Sequence, residues 1–131
     1  MVVSGAGVSR KGAIEEALIT NVDLYNTFLE IAGEEPQDQL DSQSFFALLQ
    51  NASTAQRSYN YTEVLSSRPN RSGYTIGNNQ YKLMVFDNGS QALYQYHIDP
   101  DQTTNLLEST LDSEASEAYQ ALLLEANRIR D

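Results

Sequence analysis

The chain has 131 residues, with 18 acidic against 8 basic side chains and a formal charge of −10. That balance argues against nucleic acid and against an anionic membrane surface, since both are gripped by Lys and Arg. The absence of cysteine excludes disulfides and thiolate metal sites, and no apolar run approaches the roughly 18 residues of a membrane span.

In chain order, residues 1–8 read as a short buried strand entering a Gly-rich turn; with no charged n-region before a long apolar stretch, they are not a signal peptide. Thr20-Asn21-Val22-Asp23 resembles a helix-capping signal. Behind it run two apolar stripes: Val22, Tyr25, Leu29 and Ala32, then Leu24, Phe28 and Ile31. Gly33 sits where a helix C-terminus favours a left-handed residue. Two stripes on so short a helix predict burial on more than one side, with little else in the chain to supply the cover. A second helix is predicted over Ser44–Gln50, its apolar residues Phe45, Phe46, Leu48 and Leu49. The small, polar stretch from Ala52 to Arg57 marks a boundary.

Beyond it the apolar period becomes two. Tyr59 and Tyr61 alternate with polar neighbours, Tyr81, Leu83 and Val85 oppose Lys82, Met84 and Phe86, and Tyr94, Tyr96 and Ile98 alternate again. Asp87-Asn88-Gly89 is a hairpin signal because Asn and Gly tolerate positive φ. Tyr81, Tyr94 and Tyr96 are expected in packing, and His97, the single histidine, on the outer face of the last strand. One histidine rules out a two-His metal site. An amphipathic helix closes the chain from about Glu114 to Arg130. Ala115, Ala118, Tyr119, Leu122, Ala126 and Ile129 form its apolar stripe; acids open it and Arg128 and Arg130 end it. The predicted fold class is α+β: a small antiparallel sheet of three to four strands on a C-terminal helix, preceded by a helical segment. Four Asn-x-Ser/Thr triplets, at Asn51, Asn60, Asn70 and Asn88, read as coincidences of a chain rich in these residues.

Three segments, in order, resemble the end of the sulfatase family of the alkaline-phosphatase superfamily. Val2-Val3-Ser4-Gly5-Ala6-Gly7-Val8, then Ala17-Leu18-Ile19-Thr20-Asn21-Val22-Asp23-Leu24-Tyr25-Asn26-Thr27-Phe28-Leu29-Glu30-Ile31-Ala32-Gly33, is similar to a strand, G-x-G-V and V-D-L-x-P-T-L-L-D-L-A-G, with Asn26 in place of proline. Asp41 to Leu49 follows D-G-x-S-L-L-P-L-L, with Ser42 for the glycine and Ala47 for the proline. Gly77 to Met84 is similar to D-G-R-Y-K-L-I, and Leu93 to Leu106 to E-L-Y-D-L-x-x-D-P-x-E-x-x-N-L.

The resemblance implies a division into residues 1–52, the tail of a sulfatase α/β catalytic domain, and 53–131, a C-terminal subdomain. It implies a parent that hydrolyses sulfate esters with calcium and formylglycine and is exported to a periplasm, the cell exterior or a lysosome-like compartment. In this reading the chain carries no catalytic or metal-binding residue. Its partner is the missing N-terminal catalytic part of the enzyme, a sulfated small molecule or glycan is the parent's substrate, and uncovered apolar faces make self-association possible. Ser67-Arg68-Pro69-Asn70-Arg71 has the S-x-P-x-R form of the formylglycine motif, but Ser72-Gly73-Tyr74 follows where the family has a small-residue helix start, so it reads as a loop. Val85 to Gly89 resembles F-x-x-D-N-G, a family metal strand, yet one Asp–Asn pair is too few oxygens for calcium. Arg57, Arg68 and Arg71 are unusual cations in so acidic a chain; they read either as solvated loop arginines that aid solubility or, for Arg68 or Arg71, as the candidate contact for an anionic part of the substrate in the intact enzyme. An independent acidic interaction module, or a piece of a related phosphodiesterase or phosphonate hydrolase, are the alternative readings.

Overall fold

The computed structural model describes residues 1–37, 41–51, 56–68 and 71–131. They form two compact units, Met1–Arg57 and Ser58–Asp131. The elements are α1 (Asp23–Ile31), α2 (Phe46–Gln50), β1 (Asn60–Val64), β2 (Gly73–Gly77), β3 (Lys82–Phe86), β4 (Gln91–Tyr94) and α3 (Ser113–Arg130), with one 3₁₀ turn at Leu106–Glu108. The fold class is α+β, as the residue pattern predicts.

In the first unit, residues 1–8 depart from the expected buried strand: they are irregular and mostly exposed. A strand needs a neighbour to take its backbone groups. Here the bonds are a local turn from Val8 N–H to Gly5 O (3.2 Å) and, just beyond, Ser9 and Arg10 N–H to Leu49 O (3.1 and 3.3 Å). Helix α1 ends as predicted. Gly33 has φ +86, its N–H bonds Glu30 O (3.1 Å), and Glu34 N–H reaches Leu29 O (2.9 Å), a Schellman closure. The faces of α1 are reversed from the usual arrangement. Asp23, Asn26 and Thr27 are buried, whereas Val22, Tyr25, Phe28 and Ile31 are 48–62% exposed. Burial of both apolar stripes is therefore not what this unit provides.

The second unit is a meander in the order β1-β2-β3-β4, every pair antiparallel. Its register sets Tyr61, Ile76, Leu83 and Leu93 side by side in one row across the sheet. Ile76, Leu83 and Leu93 are fully buried and cluster with Tyr81 and with Ala115, Leu122 and Ala126 of α3. Burying three large aliphatic side chains contributes about 2 kcal/mol each, the principal stabilisation of this unit. Strand β2 has glycine at both ends, which hides it from a propensity reading. Gly73 holds φ +154, and a Cβ there would lie 2.2 Å from Val85 O.

The hairpin at Asp87–Gly89 forms as expected, with Gly89 at φ +85 and Phe86 N–H bonded to Ser90 O (2.9 Å). The last strand is shorter than its alternation implies. β4 stops at Tyr94, which pairs with Lys82 on the face away from the Leu83–Leu93 row, so Tyr94 is not in the core. Tyr96 and Ile98 lie in the following turns, where Asp99 N–H bonds Gln95 O (3.0 Å), and Ile98 is exposed. His97 sits exposed in the same turns rather than on a strand face. Helix α3 starts where Asp112 Oδ1 accepts Ala115 N–H (2.8 Å). At its end Arg130 takes the sheet-facing position, 4.6 Å over the Tyr74 ring and 2.8 Å from Glu63 Oε1. Its neighbour Ile129 is thereby left 41% exposed instead of joining the apolar stripe.

Candidate functional site

The buried polar face of α1 organises the first unit. Asp23 Oδ2 accepts Thr20 N–H (2.7 Å) and Oδ1 accepts Gln43 N–H (2.9 Å). Arg57 closes on both oxygens, its Nε 3.1 Å from Oδ2, and donates to Asp41 O at 2.8 Å. Burial pushes the Asp23 carboxyl up, but the Arg57 guanidinium and the two N–H donors outweigh it and hold it below its ordinary value. Thr27 Oγ1 donates to Asp23 O (2.6 Å) and accepts Phe45 N–H (3.0 Å). Asn26 bonds Ser42 with its backbone N–H and its side chain, and its Oδ1 accepts Gln37 N–H (2.9 Å). Every one of these groups ties helix to loop, and none points to open space. The network is structural, and it absorbs Arg57, which the charge argument had grouped with the other unusual cations.

Side chains from the sequence motifs serve the second unit as joints. Asn105 Oδ1 accepts Leu93 N–H (3.0 Å) and Leu107 N–H (3.1 Å), finishing the outer edge of β4 and starting the 3₁₀ turn. Asp99 accepts Thr104 N–H (2.9 Å) and Thr103 N–H (3.1 Å), which hold its carboxyl below the ordinary value. Asn78 Oδ1 accepts Gln80 and Tyr81 N–H (2.9 and 2.8 Å) in the β2–β3 turn.

The candidate arginines lie on the β1–β2 loop. Its base is pinched by Ser72, whose Oγ accepts Ser66 N–H (2.9 Å) and donates to Ser66 O (3.2 Å), while Ser72 O accepts Asp87 N–H (3.0 Å). Arg68 and Arg71 are exposed on this tethered loop, and among the described residues neither enters an ion pair. Arg10, Arg57, Arg128 and Arg130 each have a carboxylate partner.

The strand register puts Ser67 and Asp87 at one end of the sheet and His97 at the other, so the structure keeps Ser67 apart from the single histidine. Ser67 is exposed on the loop; Pro69 and Asn70 of the same motif lie outside the described residues. Asn88 Oδ1 is taken by Ser90 N–H (2.9 Å) and Ser90 Oγ (2.7 Å), which makes it a turn brace. Among the described residues no three His, Cys, Asp or Glu side chains converge to hold a metal. This donor set does not fit the calcium of the sulfatase family. A cleft of about 750 Å³ in the first unit is lined largely by apolar groups such as Val8, Ile14, Phe45 and Leu48; Arg10 at its side is held by Glu15 (2.5 Å) and Leu48 O (2.8 Å).

With fold and site described, the comparisons identify the class. Residues 1–128 match the family described as N-sulphoglucosamine sulphohydrolase, C-terminal. The chain belongs to that family and corresponds to the C-terminal region of a sulfatase. It is 28% identical to arylsulfatase K of Mus musculus over 100 residues, covering 69% of this chain and 18% of that protein. A solved 2-O GAG sulfatase superposes with a TM-score of 0.75 at 21% identity, over 97% of this chain and 28% of that one. A protein solved in complex with its substrate D-glucosamine-2-N,6-O-disulfate gives 0.68 at 23% identity, over 84% and 23%. The chain thus spans between 18 and 28% of the length of these relatives, and the structural matches show a shared fold.

Proposed function

We propose that this chain serves a sulfatase as its structural and substrate-selecting C-terminal part, the hydrolytic groups lying elsewhere in the same polypeptide. The match of residues 1–128 to a sulphohydrolase C-terminal family carries this reading. Residues 1–52 are assigned to the tail of the catalytic α/β domain and 53–131 to a separate C-terminal subdomain. The parent's reaction is hydrolysis of a sulfate ester on a sugar, in keeping with the sulfated substrates that the relatives' names carry. Calcium and formylglycine are assigned to the parent and not to this chain, because the Asn88 side chain is committed to its turn and Ser67 lies on an exposed loop.

Within the chain, Arg68 and Arg71 are assigned to an anionic group of the substrate away from the cleaved bond. Among the described residues neither forms an ion pair, which supports this assignment. In the full-length enzyme, Arg68→Ala and Arg71→Ala are expected to lower kcat/KM for a multiply sulfated saccharide about 10-fold each, the loss of one charge-assisted hydrogen bond. Turnover of a small aryl sulfate is expected to change little. Unchanged kcat/KM on every sulfated substrate would remove the two arginines from the site.

A further inference from the structure

We propose that Asn88 is a site of self-modification, at which the β3–β4 hairpin converts its own asparagine to aspartate and isoaspartate through attack by the Gly89 backbone nitrogen. Of the asparagines in the chain, Asn88 alone precedes glycine, the residue that shields its backbone nitrogen least. Asn88, Gly89 and Ser90 are exposed at the hairpin tip, and nothing lies within 4 Å of where a Cβ on Gly89 would sit. Water and hydroxide therefore reach this peptide. The Asn88 side-chain carbonyl is held by two donors of one residue, Ser90 N–H (2.9 Å) and Ser90 Oγ (2.7 Å). Because Oδ1 meets the backbone N–H two residues on, the amide carbon is folded over the Gly89 peptide, next to the nitrogen that attacks it. Both donors also sit on the oxygen where negative charge develops during that attack, the arrangement that stabilises an oxyanion.

The reaction consumes water and releases ammonia, with no oxidant or reductant. Hydroxide removes the Gly89 amide proton, and the nitrogen bonds to Asn88 Cγ, placing the charge on Oδ1. The Cγ–Nδ2 bond then breaks, and Nδ2 takes a proton from water and leaves as ammonia. Water opens the resulting five-membered imide, at Cγ to give isoaspartate's counterpart aspartate, or at the Asn88 backbone carbonyl to give isoaspartate itself. Gly89 N–H is engaged by Phe86 O (2.9 Å), a single exposed turn bond that opens before the attack. Either product adds a carboxylate beside Asp87, whose N–H bonds Ser72 O (3.0 Å) at the base of the loop that carries Arg68 and Arg71. Isoaspartate also lengthens the turn by a backbone carbon, which the closing bond from Phe86 N–H to Ser90 O (2.9 Å) does not accommodate.

The test ages the full-length gene product, folded, in mildly alkaline buffer and follows the peptide carrying Asn88 by mass spectrometry, beside the same protein unfolded in urea. The folded protein is expected to exchange NH for O at Asn88 at least as fast as the unfolded one, and faster than at its other asparagines. Ser90→Ala keeps the N–H donor and removes the hydroxyl. It is expected to slow conversion in the folded protein about 5-fold, the worth of one net hydrogen bond, and to leave the unfolded rate unaltered. Slower conversion in the folded than in the unfolded protein overturns the proposal, because the hairpin then protects Asn88. An unaltered folded rate in Ser90→Ala overturns it as well.

Discussion

Asn26 and Ser42 hold each other by two hydrogen bonds: the Asn26 backbone N–H donates to Ser42 Oγ (3.1 Å), and the Asn26 side-chain amide donates to Ser42 O (2.7 Å). These are two positions where the chain departs from the sulfatase pattern, which has proline and glycine there. Proline has no N–H to offer, so a serine hydroxyl opposite it would be buried without this donor. The two departures act as one change made in two places.

A double-mutant cycle checks this. Ser42→Gly is expected to cost about 1 kcal/mol in the native background and close to nothing after Asn26→Pro, a coupling of about 1 kcal/mol read from urea unfolding. Additive effects would show that the pair is not coupled.

The buried Asp23–Arg57 pair sets the acid stability of the first unit. Removing one partner of such a pair costs about 3 kcal/mol, and Arg57→Ala or Asp23→Asn is expected to do so. The folded Asp23 carboxyl titrates below its unfolded value, so between the two values the folded state holds fewer protons and stability rises with pH. The contribution is complete above about pH 4 and is lost as the pH falls below it. Asp23→Asn should flatten that part of the stability–pH curve.

Gly73 admits no side chain. With φ +154 and a Cβ position 2.2 Å from Val85 O, Gly73→Ala is expected to separate β2 from β3 at a cost of at least about 3 kcal/mol. Loss of the cooperative thermal transition of the second unit, followed by circular dichroism, would show it.

Asn105 finishes the β4 edge, so Asn105→Ala strands the Leu93 N–H and should cost about 1–2 kcal/mol. Hydrogen exchange at Leu93 and Leu107 is expected to accelerate while exchange at Leu83, inside the sheet, is expected to stay unchanged.

Sequence patterning read the second unit well where local chemistry and burial agree: the Asp87–Gly89 turn, the Tyr81–Leu83–Val85 face and the helix behind Asp112. It missed β2 because Gly73 and Gly77 are poor strand formers kept there by close backbone approach. It extended β4 through Tyr96 and Ile98 because alternation persists into a segment that Asp99 folds into turns. In the first unit it found α1 and its Gly33 closure but expected both stripes buried. These partners of Asp23, Asn26 and Thr27 are 16 to 34 residues away in sequence, and no periodicity encodes them. Of the candidate site, the cations were legible by composition; which were already neutralised became visible only once Arg57 was found on Asp23.

The central claim is that this chain is a non-catalytic part of a sulfatase. Hydrolysis of a chromogenic aryl sulfate, with calcium present, by the 131-residue chain and by the longer gene product that contains it tests the claim directly. The account predicts turnover in the longer protein and none in the shorter. Turnover by the 131 residues alone would contradict it and make Ser67 the first residue to replace.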